Sequence, residues 1–217
     1  VIEHGAGPGT LVRGVLAAEP ECVRTGALRW VAVDRSEPQL AAHPVHPAVV
    51  STTSAPTSGG DVVLANELLD NLAFDIAEHT PGGWAEVLVG TDPTANGRFE
   101  LVVGGPVEVP PSFEGLARGV RLPVQTAARR WLADVHEQHG RLLAGPLEDV
   151  NGAVTTYRHA IHLNPNAMPA RAALAELLSH RAGDHPESIE QLRRLLDAEP
   201  THVAGIRVGL RIARARE

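Results

Sequence analysis

The sequence predicts an α/β fold in which a parallel sheet, covered on both faces by helices, carries a β-hairpin insertion and is followed by an all-α segment. Three observations predict it. Short apolar runs near the start lack polar alternation, as strands buried on both faces do. Helical periodicity separates those runs. Beyond Pro123 the chain reads as almost wholly helical and carries an internal repeat.

Val1 to His4 is a short apolar strand, Gly5 to Gly9 a flexible loop, and Leu11, Val12, Val15 and Leu16 recur at helical spacing. A second strand from Leu28 to Val33 stops at Asp34. A short helix around Gln39 to Ala42 leads to a third strand at Val49 to Ser51, and Thr52 to Gly60 is a loop rich in Ser, Thr, Pro and Gly. Asp61 to Ala65 is a fourth apolar strand. Phe74 to Glu78 and Trp84 to Val89 flank the turn Thr80-Pro81-Gly82-Gly83 as a hairpin, which Phe99 to Val103 extends. Gly104 to Gly119 is a connector, and a helix is expected from Val124 to His139.

The last third repeats. Pro165 and Pro200 each close a helix, after Asn164 and Glu199, about one tetratricopeptide period apart. Ala153, Tyr157, Ala160 and Pro165 resemble second-helix positions of such a repeat, and Leu174, Ala175, Leu178, Gly183, Leu192, Leu195 and Pro200 supply the next unit. So short an array is expected to cover its open faces by packing on the preceding domain or by dimerisation.

Composition narrows the partners. Of 217 residues, 43% are hydrophobic and 21% charged, as in soluble globular proteins; aromatics are only 3%, which leaves the core to Ala, Val and Leu. No apolar run reaches membrane-spanning length, so no membrane partner is expected. The chain starts without Met, directly on an apolar strand, and upstream residues are expected. A net charge of −7 argues against nucleic acid. The Arg-rich tail from Arg207 to Arg216 reads as a solvated helix face. Cys22 stands alone, so neither a disulfide framework nor a cysteine zinc site is available, and a reducing, cytoplasmic setting is expected. All 19 cationic residues are Arg, which excludes a lysine-dependent phosphate loop and any lysine Schiff base.

The glycine loop holds the densest chemistry. Glu3-His4-Gly5-Ala6-Gly7-Pro8-Gly9-Thr10 lies between strand and helix, where a parallel sheet forms its ligand crevice. Glycines let a backbone approach a ligand, and the amides of the following helix start favour a carboxylate such as that of a methionine moiety. Asp34, closing the next strand, is placed to accept from both hydroxyls of a ribose. The alternative is a tight turn with Asp34 capping the next helix. Gly-x-Gly-x-Gly lacks the final glycine of the dinucleotide pattern, which favours S-adenosylmethionine over NAD. Asn66-Glu67-Leu68-Leu69-Asp70-Asn71-Leu72 follows the fourth strand, where polar groups face the same crevice; Asp70 as a helix cap and Asn66 as a turn residue stay open. His43 and His46 share a loop with nothing to complete a metal shell and are read as solvated. His159 and His162 are read as exposed, and Trp84 and Trp131 as packing.

These motifs resemble the MidA-like methyltransferase family, which includes the mitochondrial complex I assembly methyltransferase. The likeness rests on Glu3-x-Gly5-x-Gly7-x-Gly9-Thr10-Leu11, Val33-Asp34-Arg35-Ser36, Asn66 to Leu72, and Gly83-Trp84-Ala85-Glu86. It covers residues 1–143, as an N-terminally incomplete methyltransferase-like domain, and leaves 144–217 to the tetratricopeptide-like segment. After a strand like Arg141 to Leu143 the family continues into Asp-Tyr-Gly, whereas this chain has Ala144-Gly145-Pro146. The family's aromatic pair is Leu68-Leu69 here. The resemblance implies a class I, Rossmann-like methyltransferase fold and methyl transfer from S-adenosylmethionine to a protein arginine. Glu3, Gly5, Gly7, Gly9, Asp34 and Asn66 would bind the cofactor. Glu67 and Asp70 would hold the guanidinium, with Asn66 bridging towards the cofactor. The competing expectation is a non-catalytic scaffold whose helical repeat recruits a protein partner.

Overall fold

A computed structural model describes residues 1–56, 62–92, 97–181 and 185–215. Strands β1 (Ile2–His4), β2 (Trp30–Val33), β3 (Val49–Thr52) and β4 (Val63–Ala65) form one parallel sheet in the order β3-β2-β1-β4. Helices α1 (Thr10–Ala18) and α2 (Glu21–Arg24) connect β1 to β2, and α3 (Glu37–Ala41) connects β2 to β3. From β1 the chain steps outward to β2 and β3, then returns to pair β4 on the other side of β1. The strand order therefore reverses at β1, the position where open parallel sheets form a ligand crevice beyond the strand ends. Val12, Leu28, Trp30, Ala32 and Ala48 make the buried core here, with Val15 and Leu16 of α1 packed against it. Asp61 lies outside the described residues, and β4 begins at Val63. The short α2 was not anticipated; its four residues carry too little periodicity to register.

Contacts divide the chain into two compact units, 1–69 with 130–217, and 70–129. The second holds an antiparallel sheet of β5 (Asp75–Thr80), β6 (Gly83–Asp92), β7 (Arg98–Pro106) and β8 (Arg121–Val124), ordered β7-β6-β5-β8. The expected hairpin is β5–β6. Its turn is closed by the Thr80 hydroxyl donating to the Gly83 carbonyl at 2.7 Å, and by Gly83 at φ 109°, a conformation that favours glycine. Trp84 stacks on His79 with ring centroids 4.9 Å apart and meets Phe113 at 5.3 Å. The helix expected from Val124 starts at Thr126 instead, because Arg121–Val124 is a strand. Pro123 hides it, yet proline is tolerated on this edge strand, which pairs with β5 alone.

Helices α4 (Thr126–Ala144), α5 (Val150–Leu163), α6 (Met168–Ser179), α7 (His185–Ala198) and α8 (Val203–Arg214) complete the chain. Arg141 to Leu143, compared with a family strand, forms the last turn of α4. The boundary expected after Leu143 falls at the end of that helix. Asp149 caps α5, its carboxylate accepting from the Gly152 amide at 2.9 Å. Buried Tyr157 packs on Gly140 of α4, where an added Cβ would lie 2.6 Å from the ring. Ala153, Val154, Tyr157, Ala160, Leu174 and Leu178 bury one helical core, and Ala175, Leu192, Val208 and Ile212 another. Asn164 caps the end of α5 before Pro165, and α7 ends just ahead of Pro200. Gly183 and Arg216 lie outside the described residues. No helix among those described is long and apolar enough to cross a membrane.

Candidate cofactor site

Three glycines turn the chain out of β1. Gly5, Gly7 and Gly9 have φ of 67°, 54° and 78°, left-handed values that any Cβ would strain. They differ in what surrounds them. A Cβ on Gly5 would meet Leu68 at 3.1 Å, and one on Gly9 would meet His43 at 3.0 Å, whereas nothing lies within 4 Å of the position at Gly7. Leu68 thus closes over the first glycine and His43 backs the third, and the middle of the loop opens on free space.

Both polar groups of Gly7 are held. Its amide donates to Asp34 Oδ2 at 2.9 Å. Its carbonyl lies 2.8 Å from His43 Nε2, and since a carbonyl only accepts, that nitrogen carries a proton. The other ring nitrogen, Nδ1, lies 2.8 Å from the Ser51 hydroxyl. Arg13 of α1 reaches back to the carbonyls of Pro8 and Ala42, tying the loop to the end of α3. His43 is buried, which corrects its reading as a solvated loop residue. No sequence pattern announced it: His43 follows α3 directly, and its partners are fixed only by the pairing of β2 with β3. His46, half-buried, accepts from the Ala48 amide.

Asp34 ends β2 with its carboxylate turned to the loop. Oδ1 accepts from the Ser36 amide at 2.9 Å, which shapes the entry to α3, while Oδ2 serves Gly7. A carboxylate oxygen has two acceptor positions, so each keeps one for a hydroxyl. Glu3 faces inward. It is buried and accepts from the Trp30 indole N–H at 3.0 Å, and burial raises its pKa above the ordinary 4.5 against that hydrogen bond and the His43 charge. His4 is buried too, and its Nδ1 accepts from the Trp131 indole at 3.2 Å. Trp131 therefore packs, as expected, edge-on against His4. Burial lowers the His4 pKa below 6.5 by disfavouring the charged ring.

β4 pairs with β1 so that Ala65 lies opposite His4. Asn66 consequently leaves the sheet at the level of Gly5, on the same carboxyl edge. It is exposed, as is Glu67, whose φ of 50° marks a sharp turn. Asp70 is exposed on the short 3-10 turn Leu69–Asn71 and belongs to the second unit. The structure thus brings Gly5, Gly7, Gly9, Asp34 and Asn66 to one edge and turns Glu3 beneath it. His159 and His162 are exposed.

A sheet that reverses its strand order beside a glycine loop and a strand-ending acid is the arrangement in which open α/β proteins hold nucleoside-bearing cofactors. Residues 1–154 match the family described as "Putative S-adenosyl-L-methionine-dependent methyltransferase", and the chain belongs to that family. The family's description names S-adenosyl-L-methionine, not NAD. Two solved structures from Burkholderia thailandensis are similar. One is an uncharacterized ACR protein in native form, 22% identical with a TM-score of 0.48, the match covering 63% of this chain and 39% of that one. The other, described as a superfamily member and "likely methyl transferase" bound to S-adenosyl-homocysteine, is 22% identical with a TM-score of 0.49, covering 63% and 38%. The chain spans about two fifths of the length of these proteins. No curated protein matches it.

Proposed function

We propose that this chain binds S-adenosylmethionine across the glycine loop and transfers its methyl group to a protein side chain, an arginine by its resemblance to the MidA-like enzymes. The observation that carries the reading is Gly7: its amide and carbonyl are pinned by Asp34 and His43, while the space in front of it is open. The cofactor supplies an electrophilic methyl on a sulfonium sulfur. Asp34 grips a ribose through its remaining acceptor positions, and the loop amides meet a carboxylate. Asn66, on the shared edge, orients the cofactor towards the acceptor. An arginine guanidinium stays protonated and needs carboxylates to hold it through paired hydrogen bonds. Glu67 serves that role in this reading, with Asp70 three residues further along the chain. Alignment rather than acid strength then supplies much of the acceleration.

Calorimetric titration with S-adenosylhomocysteine tests it. Asp34→Ala should weaken binding about ten- to a hundredfold, the loss of a charged hydrogen-bond acceptor. Equal binding by both proteins would overturn the assignment.

The helical segment supports a second, compatible role. We infer that α5 to α8 form a tetratricopeptide-like module that binds a protein partner. Supporting it are Pro165 and Pro200 behind α5 and α7, and small Ala153, Ala160, Ala170 and Ala175 where helices approach.

A further inference from the structure

Between α6 and α8 lies a groove of about 340 Å³, lined by Ala172, Ala173, Glu176, Ala204, Arg207 and Arg211. We propose that it is the docking site for an acidic peptide segment of a partner protein, an apolar side chain resting on the three alanines and a carboxylate paired with Arg207. The proposal rests on reading α5 to α8 as a partner-binding module and is independent of methyl transfer.

The charges in the groove argue for this occupant. Arg211 is committed: its guanidinium donates to Glu176 Oε1 at 2.6 Å and to the Ser179 hydroxyl at 3.0 Å. Arg207 has no hydrogen bond or ion pair among the described residues, so the groove keeps one uncompensated positive charge. α8 carries Arg207, Arg211 and Arg214 without a single acid, in a chain whose net charge is −7. A guanidinium's planar fork matches a carboxylate through two parallel hydrogen bonds, which makes a peptide acid its natural partner. Alanines leave the walls shallow, so an extended backbone can approach. Exposed Val203, Ile206 and Leu210 continue an apolar stripe along α8 for neighbouring side chains.

Other occupants fit less well. A second copy placed α8 to α8 would set like arginines against one another. A polynucleotide would bring phosphates onto Glu176 and would find few cations to neutralise it.

Fluorescence anisotropy with the full chain decides the matter, using a short labelled peptide of Glu, Asp and Leu, its Gln and Asn counterpart, and a labelled single-stranded oligonucleotide. The acidic peptide should bind, and more weakly as salt rises. Arg207→Glu should weaken it at least about tenfold and Arg207→Lys less, since charge remains and the fork is lost. Calorimetric S-adenosylhomocysteine binding should be unchanged in both variants, which also shows that they fold. Equal binding of the neutral peptide would overturn the acidic chemistry while leaving a partner-binding module. Binding of neither peptide would overturn both readings. Preference for the oligonucleotide would overturn the peptide in favour of a polynucleotide.

Discussion

Gly7 is placed by side chains that lie far off in sequence, and the energetics of the loop follow from them. His43 is buried with both ring nitrogens in use. His43→Leu would remove the hydrogen bonds to the half-buried Gly7 carbonyl and the exposed Ser51 hydroxyl, worth about 0.5–1.5 kcal/mol each and about 1–3 kcal/mol together. Urea unfolding should show a loss in that range, and S-adenosylhomocysteine should bind more weakly although His43 sits behind the loop; unchanged affinity would mean the loop holds its shape without it. Asp34→Asn keeps an oxygen for one of the two backbone amides it serves, so it should bind the same ligand better than Asp34→Ala by calorimetry. Asp34 and the glycines were legible because strand ends and glycine clusters are local patterns. His43 and Ser51 were not, since their roles depend on how β2 and β3 pair and on where α3 stops. The inward turn of Glu3 was equally hidden: only the neighbouring strand shows that Trp30 offers it an N–H.

At the level of elements, Gly140 separates propensity from packing. Alanine in a helix interior is favoured over glycine by about 1 kcal/mol. At this position a Cβ would sit 2.6 Å from a ring carbon of Tyr157, which is itself buried and cannot withdraw. Gly140→Ala should therefore destabilise the chain by about 1–3 kcal/mol, the range for an overpacked core. A thermal melt at or above the wild-type midpoint would show that α4 and α5 can part without loss. Long periodic helices and the β5–β6 hairpin were readable because their signals span many residues or end in a Pro-Gly-Gly turn. Four-residue β8 was not, because Pro123 speaks against a strand unless one knows that it lies at an edge.

Across the whole molecule, two neighbouring side chains on β1 give stability opposite dependences on pH. Burial raises the Glu3 pKa above 4.5, so the folded chain holds a proton that the unfolded chain releases, and stability falls as pH rises through that window. Burial lowers the His4 pKa below 6.5, so the unfolded chain binds a proton that the folded chain refuses, and stability rises with pH there. Glu3→Gln keeps an oxygen for Trp30, and its stability should climb more steeply than the wild type's between the two ordinary values of 4.5 and 6.5. His4→Gln should flatten or invert the climb. Urea titrations at several pH values read both slopes, and three parallel curves would remove these groups as the cause.

The same His4 ties the start of the chain to Trp131, 127 residues later. During synthesis at about 5–20 residues per second, roughly 6–25 s pass before that indole exists. Throughout that interval the first strand has no cover from α4, and a nascent chain stalled before Trp131 would present the imidazole to chaperones and proteases.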